Sequence, residues 1–374
     1  MNAPGCFLAI FSPFRYNPQE MTTNGDSEGY RRRPRYRGTH PQAFHEKYKE
    51  LAPERYAAEQ EKVLARGDTP AGTHRPIMVA EILHVLAPRA GETAVDATLG
   101  YGGHTRALAM AIRPGGRLYG LDVDPLELPK TEVRLRTEGL TPEELHIHRL
   151  NFAALPRLLT VEGLPGVDLF LADLGVSSMQ LDNPARGFTF KREGPLDLRM
   201  NPEKGEPVSA LLATISPEKL ATLLRENADE PYAVAIAATL VARRGQLITT
   251  TALAQAIRDA LHDLPTAERE SVGDDSLRRT FQALRIAVNQ EFSALDTLLR
   301  VLPQCLNPGG RAAILTFHSG EDRRVKHAFQ EGLARGWYSA IAPAVLRPST
   351  EEQDANPRSR AAKLRWAIRS AASI

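Results

Sequence analysis

The sequence predicts an α/β protein, a Rossmann-like, mostly parallel sheet with an inserted α-helical domain. Three observations predict it. From residue 74 onward, short apolar runs alternate with helical segments, the pattern of parallel strands joined by right-handed crossovers. A glycine-rich run, Asp96-Ala97-Thr98-Leu99-Gly100-Tyr101-Gly102-Gly103-His104-Thr105, lies between an apolar stretch and an alanine-rich one, and the acid Asp122 closes the next apolar run. The alternation then gives way to roughly 100 residues of helical sequence before RAAILTF (311–317) resumes a strand pattern, as an insertion between two strands would.

In chain order, residues 1–70 form a basic N-terminal extension. Arg31, Arg32, Arg33, Arg35 and Arg37 are interleaved with Tyr30 and Tyr36. That suits an RNA-binding arm, with cations for phosphates and tyrosines for stacking, but the composition is equally that of a disordered, solvated tail, and the tail is the preferred reading. Residues 44–66 suggest a charged helix. Strands are expected at Thr93–Asp96, Arg117–Asp122, His146–Leu150 and Val167–Leu174, with Glu127–Glu138 the clearest helix between them. Residues 182–205 are dense in Asn, Pro and Gly. Ser216-Pro217-Glu218 then reads as N-cap, N1 proline and acidic first turn, Pro231–Arg244 is alanine-rich, and Thr251 is placed to cap 252–261. Leu277, Phe281, Leu284, Val288, Phe292, Leu295, Leu299 and Leu302 recur at three- and four-residue steps and predict one long amphipathic helix. The resulting plan is an extension (1–70), a sheet domain in two parts (71–181 and 291–374) and a helical domain (182–290) inserted between them.

The net charge is +2, so any nucleic-acid surface must be local. The two cysteines, Cys6 and Cys305, lack CxxC or metal-like neighbours, which points to no disulfide framework, no metal site and a reducing cytoplasm. No apolar run approaches the ~20 residues of a membrane span. GCFLAIF (5–11) has no basic segment ahead of it and is not read as a signal peptide.

The glycine loop departs from GxGxxG, because His104 and Thr105 follow Gly103 directly. A pyrophosphate is held on a helix N-terminus behind a third glycine. This spacing suits a ligand without phosphates, in which backbone meets an amino-acid moiety and a ribose; S-adenosylmethionine is such a ligand. Asp122 would accept hydrogen bonds from ribose hydroxyls, Asp124 would cap the helix after Pro125, and Phe152 would lie against a flat adenine ring. Taken singly, each has a plainer structural reading: a tight turn, a cap, a core aromatic. Together with Asp173 at the end of the fourth strand they occupy four carboxyl ends of one sheet, where open α/β sheets bind ligands.

HRPIMVAEIL (74–83), DATLGYGGHT (96–105), GLDVDP (120–125), DLGVSSMQLD (173–182), RGFTF (186–190), GPLDLRM (194–200), ALRIAVNQE (283–291), TFHSGEDRRVK (316–326) and RSRAAKLR (358–365) occur in one order. With these motifs the chain, from 74 to about 369, closely resembles the bacterial 16S ribosomal RNA cytosine N4-methyltransferase family, the RsmH/MraW type. The resemblance implies an S-adenosylmethionine-dependent methyltransferase fold. It also implies methylation of the exocyclic N4 of a decoding-region cytidine in small-subunit rRNA, with the small subunit as partner, the cytoplasm as location and the oligomeric state left open, a dimer included. By motif match, Gly102, Gly103, His104, Asp122, Phe152, Asp173 and Gln180 would line the cofactor. Met179 stands where the family usually has Pro, and Gly320 where it has Leu.

Cytosine N4 is a poor nucleophile, because its lone pair is delocalised into the ring. An acceptor for its hydrogens would help localise that pair. Asp173 is the first candidate and His318, past the fifth strand, the second. Arg186, Arg199, Arg358, Arg360, Lys363 and Arg365 are the candidate RNA contacts. Other readings are a DNA amino-methyltransferase, against which Asp-Leu-Gly-Val stands in place of an Asp/Asn/Ser-Pro-Pro-aromatic motif, and a non-catalytic rRNA-binding assembly factor, against which the intact glycines and Asp122 stand.

Overall fold

The computed structural model describes residues 76–371. The expectations for residues 1–70, including the arginine cluster at 31–37 and the helix at 44–66, lie outside them. Among the described residues no helix is long and apolar enough to cross a membrane.

The chain begins with α1 (Val79–Leu86) and then alternates: β1 (Thr93–Asp96), α2 (Gly103–Ala111), β2 (Arg117–Asp122), α3 (Leu128–Thr137), β3 (Leu145–Arg149), α4 (Leu155–Glu162), β4 (Val167–Asp173) and the short α5 (Ser178–Asp182). A run of helices follows: α6 (Val208–Thr214), α7 (Pro217–Ala228), α8 (Ala233–Ala242), α9 (Thr250–Ala260), α10 (Thr266–Asn289) and α11 (Glu291–Cys305). The sheet resumes with β5 (Leu306–Thr316), followed by α12 (Ser319–Ala334), β6 (Tyr338–Ile341), α13 (Thr350–Ala355) and β7 (Lys363–Arg369).

All seven strands form one sheet in the order β3-β2-β1-β4-β5-β7-β6. The first five are parallel, and β7 runs antiparallel to both neighbours. The chain winds outward from β1 to β3 and then returns to β4 beside β1. That reversal opens a crevice at the carboxyl ends of β1 and β4.

The two-residue period of the strands divides the core. Val95, Phe170, Ala172, Ala312 and Ile314 face α4, α11 and α12. Their sequence neighbours Ala94, Leu169, Leu171, Ala313 and Leu315 face α1, α2 and α3. Strands covered on both faces read as unbroken apolar runs, which is why β1, β2 and β4 stand out in the sequence. Helices α6–α10 pack around a core of their own, including Leu220, Leu224, Ile236, Leu240, Leu253, Ile257 and Leu284, closed by Phe188, Leu196 and Leu198 from the turn-rich segment.

Several boundaries differ from expectation for identifiable reasons. The single long helix over 277–302 is two helices, because Gln290 takes a left-handed conformation (φ 53°). Asn289 enforces the break: its amide donates to Leu198 O and Arg285 O, and its Oδ1 accepts from Met200 N at 2.7 Å. Helix α9 is capped by Thr249 rather than Thr251, the Thr249 hydroxyl accepting from Ala252 N. Strand β5 begins at Leu306, five residues ahead of the RAAILTF run, because Asn307-Pro308-Gly309-Gly310 forms a bulge instead of a turn. Strands β6 and β7 extend the sheet beyond β5. At Gly320, where the family usually has Leu, a Cβ would come within 2.6 Å of the Phe292 ring, so Phe292 and glycine go together here.

Candidate active site

A cavity of about 450 Å3 occupies the crevice. It collects residues far apart in sequence: Gly102, Gly103, His104, Asp122, Phe152, Asp173 and Gln180 all lie on its walls, with His318 on one side and Arg358 at the rim.

Asp96, 1% exposed at the end of β1, organises the floor. Its carboxylate accepts from Thr105 Oγ1 at 2.6 Å and from Thr98 N at 3.2 Å, tying both ends of the glycine loop to the strand. Thr98 Oγ1 in turn accepts from Asp173 N at 2.6 Å, which fixes the end of β4 against the loop. Gly102 has φ +82°, and a Cβ there would strike the Leu135 side chain at 2.9 Å, so position and packing both require glycine.

Asp122 closes β2. One oxygen accepts from Gly100 N at 2.8 Å and the other from Asp124 N at 2.9 Å. Burial pushes its carboxyl up to about 6. A carboxylate oxygen can accept more than one hydrogen bond, so each has capacity left for a hydroxyl of a ribose diol. The two guanidinium groups on the walls, Arg285 and Arg358, are already paired with Glu291 and Asp182. The donor set therefore suits a phosphate-free nucleoside ligand, in agreement with the loop spacing. Asp122→Ala is expected to weaken binding of S-adenosylmethionine by ~1–3 kcal/mol, checked by titration calorimetry, because it leaves polar partners unmatched.

Gln180 reaches the wall with its amide largely committed. Its Nε2 donates to Asp124 Oδ2 at 2.7 Å, and its Oε1 accepts from Ser177 N in a capping box. Asp124 caps the turn before α3, accepting from Leu126 N and Glu127 N, and also receives Arg186 Nη1 at 2.6 Å.

Asp173 and His104 meet across the floor. His104 Nε2 donates to Ile77 O at 2.9 Å, which fixes that nitrogen as the protonated one. Its Nδ1 then lies 3.5 Å from Asp173 Oδ2. The other oxygen, Asp173 Oδ1, is buried without a hydrogen-bond partner. Burial pushes the Asp173 carboxyl up to about 6, opposed by His104 and reinforced by the nearby charges of Asp96 and Glu321.

His318 is the N-cap of α12. Its Nδ1 accepts from Glu321 N at 3.4 Å, and Nε2 lies 3.2 Å from Glu321 Oε1. Burial would push the Glu321 carboxyl up; the His318 ring beside it, the Phe317 N–H that it accepts and the Arg285 guanidinium hold it below the usual range instead. His318 and Asp173 lie on the walls of the same cavity.

Most of the candidate RNA contacts have partners within the protein. Arg186 is 6% exposed, because Asp124 and the carbonyls of Arg199 and Met200 take its guanidinium inside the protein. Arg199 is bound by Asp197 and Gly205 O, clamping its own loop. Lys363 and Arg365 both turn to Asp322 on α12, since β7 lies inside the sheet and not at its edge. Arg358 is exposed but paired with Asp182, while Arg360 is exposed. The sequence reading also missed Gln282, Arg285, Glu291 and Glu321 as wall residues. The available signal was the polar set Arg285, Asn289 and Glu291 in an otherwise apolar helix pattern.

A profile of the MraW methylase family matches residues 71–370. The chain is 49% identical over 350 residues to ribosomal RNA small subunit methyltransferase H 1 of Lachnoclostridium phytofermentans, covering 93% of this chain and 95% of that protein. It is 51% identical over 345 residues to ribosomal RNA small subunit methyltransferase H 2 of Alkaliphilus metalliredigens, covering 91% and 98%. A solved rRNA methylase from Streptococcus thermophilus aligns over 78% of this chain and 93% of that one at 13% identity with a TM-score of 0.35, so the assignment rests on the sequence relatives. The chain belongs to the MraW methylase family, whose methyl donor is S-adenosylmethionine.

Proposed function

We propose that this protein methylates the exocyclic N4 of a cytidine in the decoding region of 16S, small-subunit rRNA. The observation that carries the chemistry is Asp173, a residue of the cavity wall at the end of β4 whose Oδ1 has no hydrogen-bond partner among the described residues. The substrate class is supported by the names of the relatives, which act on small-subunit ribosomal RNA. Such a substrate puts the enzyme in the cytoplasm.

When bound, S-adenosylmethionine supplies an electrophilic methyl group on a sulfonium. In this reading Gly102, Gly103, Asp122 and Phe152 hold it, and the nucleophile has to be presented in line with the bond that breaks. Asp173 Oδ1 accepts one N4–H of the cytosine, which localises the nitrogen lone pair for attack and afterwards takes the proton that N4 releases. His104 positions Asp173: its Nε2–H is held on Ile77 O and its Nδ1 lies 3.5 Å from Asp173 Oδ2, which leaves Oδ1 as the oxygen without a partner among the described residues. Residues 182–290 are the proposed substrate-binding domain. Their wall over the cavity, with Gln282, Arg285 and Asn289, would receive a base splayed out of the folded rRNA.

The test is methyl mapping. Small-subunit particles incubated with the protein and labelled donor should carry the label on N4 of a cytidine, read by mass spectrometry of nucleosides and mapped oligonucleotides. Label on carbon 5 or on adenine would refute the reading.

A further inference from the structure

We propose that a second cavity, continuous with the cofactor pocket, holds the sugar–phosphate backbone of an unpaired stretch of the substrate RNA beside the reacting nucleotide. This rests on the reading of the chain as an rRNA methyltransferase. The cavity measures about 640 Å3, within the usual ligand-site range of roughly 300–1,000 Å3. It lies between the end of β3 with α4 on one side and the 200–205 turn with the α10–α11 junction on the other. Val123, Leu150, Asn151, Met200 and Asn289 line both cavities, so the two are compartments of one cleft.

Its charge is one-sided. Arg149, Arg157 and Lys204 face it and no carboxylate is among its lining residues. His148, also on the wall, has Glu162 Oε1 3.2 Å from its Nε2. Arg157 and Lys204 are exposed and form no ion pair with the described residues. Arg149 has only a half-exposed partner, Glu203 at 2.8 Å, a pairing of small net value that a phosphate can replace. Cations that outnumber the acids beside them in a concave site raise the local concentration of anions. The contrast with the expected RNA contacts is direct: Arg186, Arg199, Arg358, Lys363 and Arg365 are each matched to an aspartate. S-adenosylmethionine is not the ligand this charge fits, since it carries a sulfonium and no phosphate.

The rest of the lining favours a nucleotide over a free anion. Val161, 66% exposed, gives a base an apolar surface to lie on. Gln290 is exposed at the cavity wall in a left-handed conformation, and its side-chain amide makes no hydrogen bond to the described residues. Non-glycine residues held in this conformation gather at ligand sites. A free amide offers both a donor and an acceptor to a base edge.

The test is the double variant Arg157→Ala/Lys204→Ala, compared with Lys219→Ala/Arg225→Ala, which removes the same charge from the exposed face of α7. The cavity variant should bind small-subunit rRNA at least about tenfold more weakly. The slope of its log affinity against log salt should shrink by about 1.4, two contacts at roughly 0.7 each for a single strand. KM for the RNA should rise with kcat nearly unchanged, and affinity for S-adenosylmethionine should stay at the wild-type value. Equal loss in the α7 variant would reduce the effect to net charge and overturn the proposal. So would an unchanged salt slope, or a loss seen with the assembled subunit but not with protein-free rRNA, which would assign the cavity to a ribosomal protein. A wild type that put no methyl into small-subunit rRNA would overturn the functional reading as well; an active wild type with an unaffected double variant overturns the cavity's role alone.

Discussion

Asp173→Asn is expected to stop methyl transfer and, at neutral pH, to make the protein more stable. Loss of the acceptor should lower kcat by roughly 10²–10⁴-fold, the usual range for a positioned general base. Binding of S-adenosylmethionine should change little, because Asp122 and the glycine loop remain. The stability gain follows from burial. The Asp173 carboxyl sits at about 6 in the folded protein and near 4 in an unfolded chain. A folded value above the unfolded one means that stability is lost as pH rises between the two and stays lost above 6. Asparagine does not ionise, and its amide can donate to His104 Nδ1, so the variant escapes that loss. The gain should be of order 1–3 kcal/mol at pH 8 and absent at pH 4, read from urea denaturation of the cofactor-free protein. Wild-type turnover should fall as pH drops through about 6, where Asp173 takes up a proton. A variant that lost activity and stability together would mark Asp173 as a structural residue.

The sheet was largely legible because its strands are buried on both faces. Runs such as Val167–Asp173 carry their own signal, and the rule that ligands gather at carboxyl ends brought Asp122, Phe152 and Asp173 to one cavity before any contact was known. What was not legible depends on partners distant in sequence. In β7 only Leu364 and Ala367 are buried, so the strand shows no clean alternation, and its basic residues read as surface. Their partner Asp322 lies on another helix, more than 40 residues away. The break at Gln290 was hidden because the apolar spacing from Val288 to Phe292 runs straight across it; the cause is an Asn289 contact to Leu198, 91 residues distant. The pairing of His104 with Asp173 is of the same kind. Strand position singled out Asp173 and the family resemblance His104, and only the crossover from β1 to β4 puts them face to face.

Arg186 supplies the sharpest separation between a nucleic-acid contact and a structural cation. Arg186→Met is expected to destabilise the protein by about 3–5 kcal/mol, since it leaves Asp124, 1% exposed, with a buried charge and only Gln180 and backbone N–H groups around it. The carbonyls of Arg199 and Met200 lose their donor in the same step, which loosens the turn that walls the cleft. Asp124→Asn combined with Arg186→Met should recover part of the loss, because removing both charges abolishes the desolvation penalty that removing one exposes. The coupling should therefore be large in a double-mutant cycle followed by thermal or urea unfolding. Affinity for rRNA, measured well below the unfolding temperature, should fall no further than the folded fraction does. A variant that kept its Tm and lost rRNA affinity with a reduced salt slope would return Arg186 to the RNA surface. The same cycle at Arg365 and Asp322 is expected to give a smaller coupling, because Lys363 remains beside Asp322 when Arg365 is removed and the carboxylate is not left alone.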